Sequence, residues 1–148
     1  MRHTSMLPQH TLDVEAIRYE IIDTLEVINN MEYMLKALPS VIEYYQNDAN
    51  PYVKCSSIRL FSSVYKVKPE ISKYIIQGLK SESEEVKKQS LFIVGYCKIK
   101  EAVKILNERL MEINTSEDER ISIIYSLGEI GDISSAPFLI KSLKNEKK

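Results

Sequence analysis

The chain is 148 residues long, 44% hydrophobic and 28% charged, with a formal net charge of −1. That length accommodates one domain with a sizeable core, the composition excludes intrinsic disorder, and the near-neutral balance supplies no global attraction to nucleic acid or to an anionic membrane. No apolar run approaches the ~18 residues of a membrane span, and the opening MRHTSMLPQH lacks the hydrophobic segment of a secretion signal, so a cytoplasmic protein with no membrane role is expected.

Residues 1–12, with Pro8 and few periodic apolar positions, read as a flexible N-terminal arm, and residues 13–148 as one helical domain. Val14, Ile17, Ile21, Leu25 and Ile28 recur at spacings of three and four, which predicts an amphipathic helix ended by Asn29-Asn30. A second helix to about Gln46 carries Leu35, Leu38, Ile42 and Tyr45; Pro39 inside it implies a start or a kink there. Asn50-Pro51 reads as a cap followed by proline in the first turn, opening a helix to about Val64. Pro69 marks the next start, with Ile71, Ile75 and Leu79 as its buried stripe. Ser81 with Glu84, and Ser116 with Glu119, have capping-box spacing. Helices are expected at about 84–96, 101–112, 117–129 and 135–145, making eight helices in four antiparallel pairs. No segment has strand-like alternation bounded by hairpin turns, and four glycines with no tryptophan agree with an all-α chain.

A period of thirty-three residues runs through the second to fourth pairs. Val53-Lys54, Val86-Lys87 and Glu119-Arg120 each open a helix, and Ser62, Gly95 and Gly128 close it at the same spacing. A period in this range marks a solenoid, in which one repeat cannot bury its apolar face without a neighbour. Another repeat could begin at Asn145–Lys148, so the sequence is compatible with a longer array. Cys55 and Cys97 lack CxxC spacing and a nearby histidine, and read as two reduced thiols.

Ser126–Asp132 (SLGEIGD), followed by Ser135-Ala136-Pro137-Phe138-Leu139-Ile140 and Leu143, resembles a HEAT-like repeat, most of all the short type of the phycobilisome lyases. In that unit a Val-Arg helix start leads to Ala-Leu-Gly, an Ile-Gly-Asp turn, Ala-Pro and Leu-Ile. The fourth pair departs from it at Glu119, the third replaces the turn with Lys98-Ile99-Lys100, and the second has Ser62 for the glycine. The first pair echoes it only at Pro39-Ser40-Val41-Ile42. The resemblance implies a right-handed α-solenoid of about four antiparallel helix pairs. It also implies that Lys54, Lys87 and Arg120, with Asp132, form a structural ladder between repeats rather than a ligand site.

Catalysis needs a nucleophile, base or metal set within mutual reach. The two histidines, His3 and His10, both fall in the expected arm, and acidic runs such as Glu84-Glu85 and Glu117-Asp118-Glu119 sit at helix starts, where they oppose the helix dipole. The repeated His-Glu pairs of HEAT-like deoxyhypusine hydroxylases are absent, and with no tryptophan the aromatic cage of HEAT-like alkylpurine glycosylases is absent too. No catalytic residue, metal ligand or cofactor is therefore assigned, and the chain reads as a non-enzyme.

Binding remains. The resemblance places the second helix of each pair on a concave surface that such proteins use for partners. Its polar positions give Lys73, Tyr74 and Gln77, then Lys104 and Glu108, then Lys141 and Lys144, a mildly basic groove weighed against an ordinary solvated face. Residues 87–109 hold six basic residues against two acidic, a local +4. Among nine tyrosines, Tyr44, Tyr74 and Tyr96 occupy positions where partial exposure is plausible, although tyrosines at helical spacing usually pack. The expected function is a scaffold that binds another protein through this surface. The alternatives are a nucleic-acid binder using the same lysines and, on resemblance alone, a chromophore-lyase accessory protein.

Overall fold

The computed structural model describes residues 10–146, and every described element is helical. In chain order these are α1 (His10–Ile28), α2 (Met31–Asn47), α3 (Pro51–Val64), α4 (Ser72–Gly78), α5 (Glu84–Tyr96), α6 (Val103–Met111), α7 (Glu117–Ile130) and α8 (Ala136–Asn145). Short 3-10 turns, Pro69–Ile71, Lys100–Ala102 and Ile133–Ser135, lead into α4, α6 and α8. The chain is an all-α helical repeat protein, as its periodicity requires. Residues 10–12 belong to α1 and not to an arm; residues 1–9, with His3, lie outside the described residues.

Local chemistry sets most boundaries. Asn29 ends α1 with a left-handed φ of 57°, and Asn30 caps α2 by accepting the Tyr33 amide. Asn50 caps α3 through the Tyr52 amide, with Pro51 in the first turn. Two expectations need correction. Of the start or kink expected at Pro39, the start is excluded: α2 runs from Met31 to Asn47 through Pro39, with Met34, Leu38, Val41 and Tyr45 buried along it. The cap of α5 is Ser83, which accepts the Val86 amide, while Ser81 folds onto the Ser83 amide in the preceding turn. At α7, Ser116 does accept the Glu119 amide, but the Glu119 carboxylate turns away to Arg109.

Contacts group the helices into two compact units, one ending at Ile71 and one starting at Ser72. In the first unit α1 and α3 run parallel, joined by Glu15 with Asn50, Asp23 with Arg59 and Glu26 with Ser63. Helix α2 packs on α3, where Tyr45 and Phe61 meet edge to face at 5.5 Å. Met34, Ile58, Leu60 and Phe61 are fully enclosed.

In the second unit α5 and α7 run parallel in tight register. The Ser126 hydroxyl donates to the Leu91 carbonyl at 2.6 Å, and a Cβ on Gly95 would stand 3.0 Å from the Ser126 Cα. Any larger residue there would press on the backbone of the facing helix. Helix α4 packs on α5, and α6 packs on α7 and α8. Ile75, Leu79, Ile99, Leu106, Leu110 and Ile123 are enclosed.

Candidate interaction surface

All seven residues expected at the binding surface fall in the second unit. On α4, Lys73 and Gln77 are exposed, and the Lys73 ammonium lies 5.1 Å from the centre of the half-buried Tyr74 ring. Lys104 and Glu108 are exposed on α6, Lys141 and Lys144 on α8.

Two of the seven meet in one groove. Lys104 and Glu108 line it from α6 with Lys100, Val103 and Asn107; Asp132, Ser134 and Phe138 close it from the turn into α8 and from α8 itself. Its charged lining is two lysines against two carboxylates, so the groove is mixed in charge rather than basic. Asp132 accepts the Ser134 amide at 2.8 Å, and this hydrogen bonding, with a smaller contribution from Lys100, holds its carboxyl below the usual range. Asn107 is buried, and its side-chain oxygen finds no hydrogen-bond partner among the described residues. A buried acceptor left in that state costs on the order of 1–3 kcal/mol.

The periodic bases go to three different acceptors. Lys54 donates to the Tyr45 carbonyl and lies over that ring, and burial lowers its pKa against the opposing pull of Asp48. Lys87 reaches Glu119 of the next repeat at 3.6 Å, as well as Glu84 at 3.2 Å in its own first turn. Arg120 pairs with Glu146 at the end of α8.

Glu119 is the main junction of the second unit. Arg109 grips its carboxylate with both Nε, at 2.7 Å, and Nη2, and Lys87 approaches the other oxygen. Sequence reasoning took Glu119 as a departure from the repeat, a capping-box acid and part of an acidic helix start, and did not pair it with Arg109. The signal available was the ten-residue separation of an arginine near one helix end and an acid in the next first turn. With Lys98 also held by Glu129, three of the six bases in 87–109 are paired to acids of α7, which draws down the local positive charge.

The exposed aromatic surface lies largely on the first helices. Phe92 and Tyr96 stack on α5 at 5.9 Å, and Tyr125 stands exposed on α7 one period after Phe92. Tyr44 is exposed beneath the Arg18 guanidinium. Cys55 is buried and Cys97 half-buried, neither in a disulfide, and burial raises the Cys97 pKa. Among the described residues no cluster of three or more His, Cys, Asp or Glu could hold a metal ion, and no helix is long and apolar enough to cross a membrane.

Comparison with curated proteins gives no match. A family model for HEAT repeats matches residues 72–148, just over half of the chain and the same stretch as the second compact unit. With paired helices at a fixed period and first helices stacked in parallel register, the chain belongs to the HEAT repeat family.

Proposed function

We propose that this protein is a non-enzymatic adaptor that holds a polypeptide partner along the second-helix surface of its second unit, centred on the groove between α6 and α8. HEAT repeats generally serve as protein-interaction scaffolds, which supplies the class of function. The observation that carries the reading is the groove itself, whose lining sets Lys100 and Lys104 against Glu108 and Asp132. A polypeptide of complementary charge suits such a lining, with Lys100, Lys104, Glu108 and Asp132 fixing register and on-rate. Lys73, Tyr74 and Gln77 on α4, and Lys141 and Lys144 on α8, extend this surface.

Capture from nuclease-treated source-cell lysate tests the reading, comparing the wild type with the triple variant Lys73→Glu, Lys104→Glu, Lys141→Glu. All three sites are exposed, so the variant should keep its circular dichroism. A protein captured by the wild type and lost by the variant supports the groove. Capture that the variant leaves unchanged removes it, and protein recovered only without nuclease moves the function to nucleic acid.

A further inference from the structure

We propose that copies of this chain associate head to tail, with α1 of one copy seated on the outer face of α7 of another as α7 is seated on α5 within the second unit. This goes beyond the groove reading and does not depend on it.

The template is the α5–α7 contact. Helix α7 turns Ile123, Ser126, Leu127 and Ile130 inward, all buried, and Ser126 lies over Gly95 with its hydroxyl on the Leu91 carbonyl. Helix α1 carries the same set 102 residues earlier: Ile21, Thr24, Leu25 and Ile28. A backbone marker fixes the register independently, because Asn29 and Gly131, also 102 residues apart, both take left-handed φ, at 57° and 73°. On α1, however, Ile21 and Ile28 are more than half exposed, and so is Ile17 one turn before. The opposite face of α1, with Glu15, Asp23 and Glu26, is the one engaged by α3.

The receiving surface is equally open. One period after Leu91 and Gly95 stand Ile124 and Gly128, and a Cβ on Gly128 would meet nothing within 4 Å. Ile121 and Tyr125 beside them are exposed at 60% and 77%. Both of these faces are apolar, the kind of surface that marks an interaction site. Thr24 would take the place of Ser126 over Gly128, its hydroxyl directed to the Ile124 carbonyl.

Charge favours a second copy over a helix that reproduces α7 in full. Lys87 meets Glu119 in the template, but its equivalent, Arg120, is already paired with Glu146. An incoming helix therefore needs no acid at that position, and α1 supplies Ile17 there. Each copy has one donor face and one receiving face, so the contact is heterologous.

Sedimentation velocity of the chain over a wide concentration range should show a mass that rises above that of the monomer. Gly128→Leu fills open space and Ile21→Lys alters an exposed site, so both should fold, as circular dichroism would verify, yet each should weaken association at least tenfold. Mixed in equal amounts, the two variants should form a one-to-one complex and stop, since each retains one intact face. A wild type that stays monomeric, a variant that self-associates as well as the wild type, or a mixture that fails to pair would each overturn the proposal.

Discussion

At Glu119 one carboxylate serves Arg109 and Lys87 while only 12% of its side chain remains exposed. Removing one partner from a largely buried pair leaves the others desolvated, so Glu119→Gln should cost about 2 kcal/mol in urea unfolding. Arg120→Ala should cost about 0.5 kcal/mol, because Glu146 is half exposed and water replaces the pair. Tyr45 gives a test in pH. Burial first, and the nearby Cys55 second, raise its phenol from the ordinary 10.0 to about 12. The folded state therefore holds this proton where the unfolded chain releases it. Its contribution to stability is whole below pH 10 and is lost progressively as pH rises toward about 12. Lys54, whose pKa burial lowers, contributes a slope of opposite sign just below its ordinary 10.5. Comparing wild type with Tyr45→Phe isolates the phenol: the variant should lose less stability across that alkaline window. Equal losses in both proteins would mean that Tyr45 is solvated.

Two glycines at the same position of successive helices should respond oppositely to one added methyl. Ala is favoured over Gly inside a helix by roughly 1 kcal/mol. At Gly128 nothing opposes that gain, so Gly128→Ala should stabilise the chain by about 1 kcal/mol. At Gly95 the new Cβ meets the backbone of Ser126 at 3.0 Å, and α5 and α7 can relieve it only by separating. Gly95→Ala should therefore lose roughly 1–3 kcal/mol, as overpacking a tight contact does. Urea midpoints measured at low protein concentration check the pair, and equal signs would refute the α5–α7 register. Pro39 is the matching case in α2. Its ring denies the Leu35 carbonyl its usual partner, yet it sits exposed inside the helix. Pro39→Ala should stabilise by about 2 kcal/mol, the helical gain of ~3 reduced by the greater freedom of the unfolded chain.

Across the whole molecule, what could be read in the sequence was what local chemistry decides. Asn50-Pro51, Ser116 and the thirty-three-residue period identify themselves because caps, prolines and apolar spacing act within one or two turns. Pro39 misled because burial of a continuous face outweighs one lost backbone bond, and Ser81 because a second serine two residues on competes for the cap. The groove was half legible: Lys104 and Glu108 follow from helical spacing, but Asn107 and Asp132 become neighbours only when the turn into α8 folds against α6. The same tertiary placement bears on nucleic acid. Each phosphate neutralised by a lysine or arginine releases counterion, and the salt dependence of binding counts them. The chain has twenty basic residues against twenty-one acidic, and the most basic segment gives up Lys87, Lys98 and Arg109 to acids of α7. What remains near the groove faces Glu108 and Asp132. Fluorescence titration with single- and double-stranded oligonucleotides should thus show weak binding at low salt, with a log–log slope no steeper than about −2. A slope near −5 would require a coherent row of lysines free to follow a phosphate backbone. That result would place Lys73, Lys104, Lys141 and Lys144 on nucleic acid and withdraw them from a polypeptide partner.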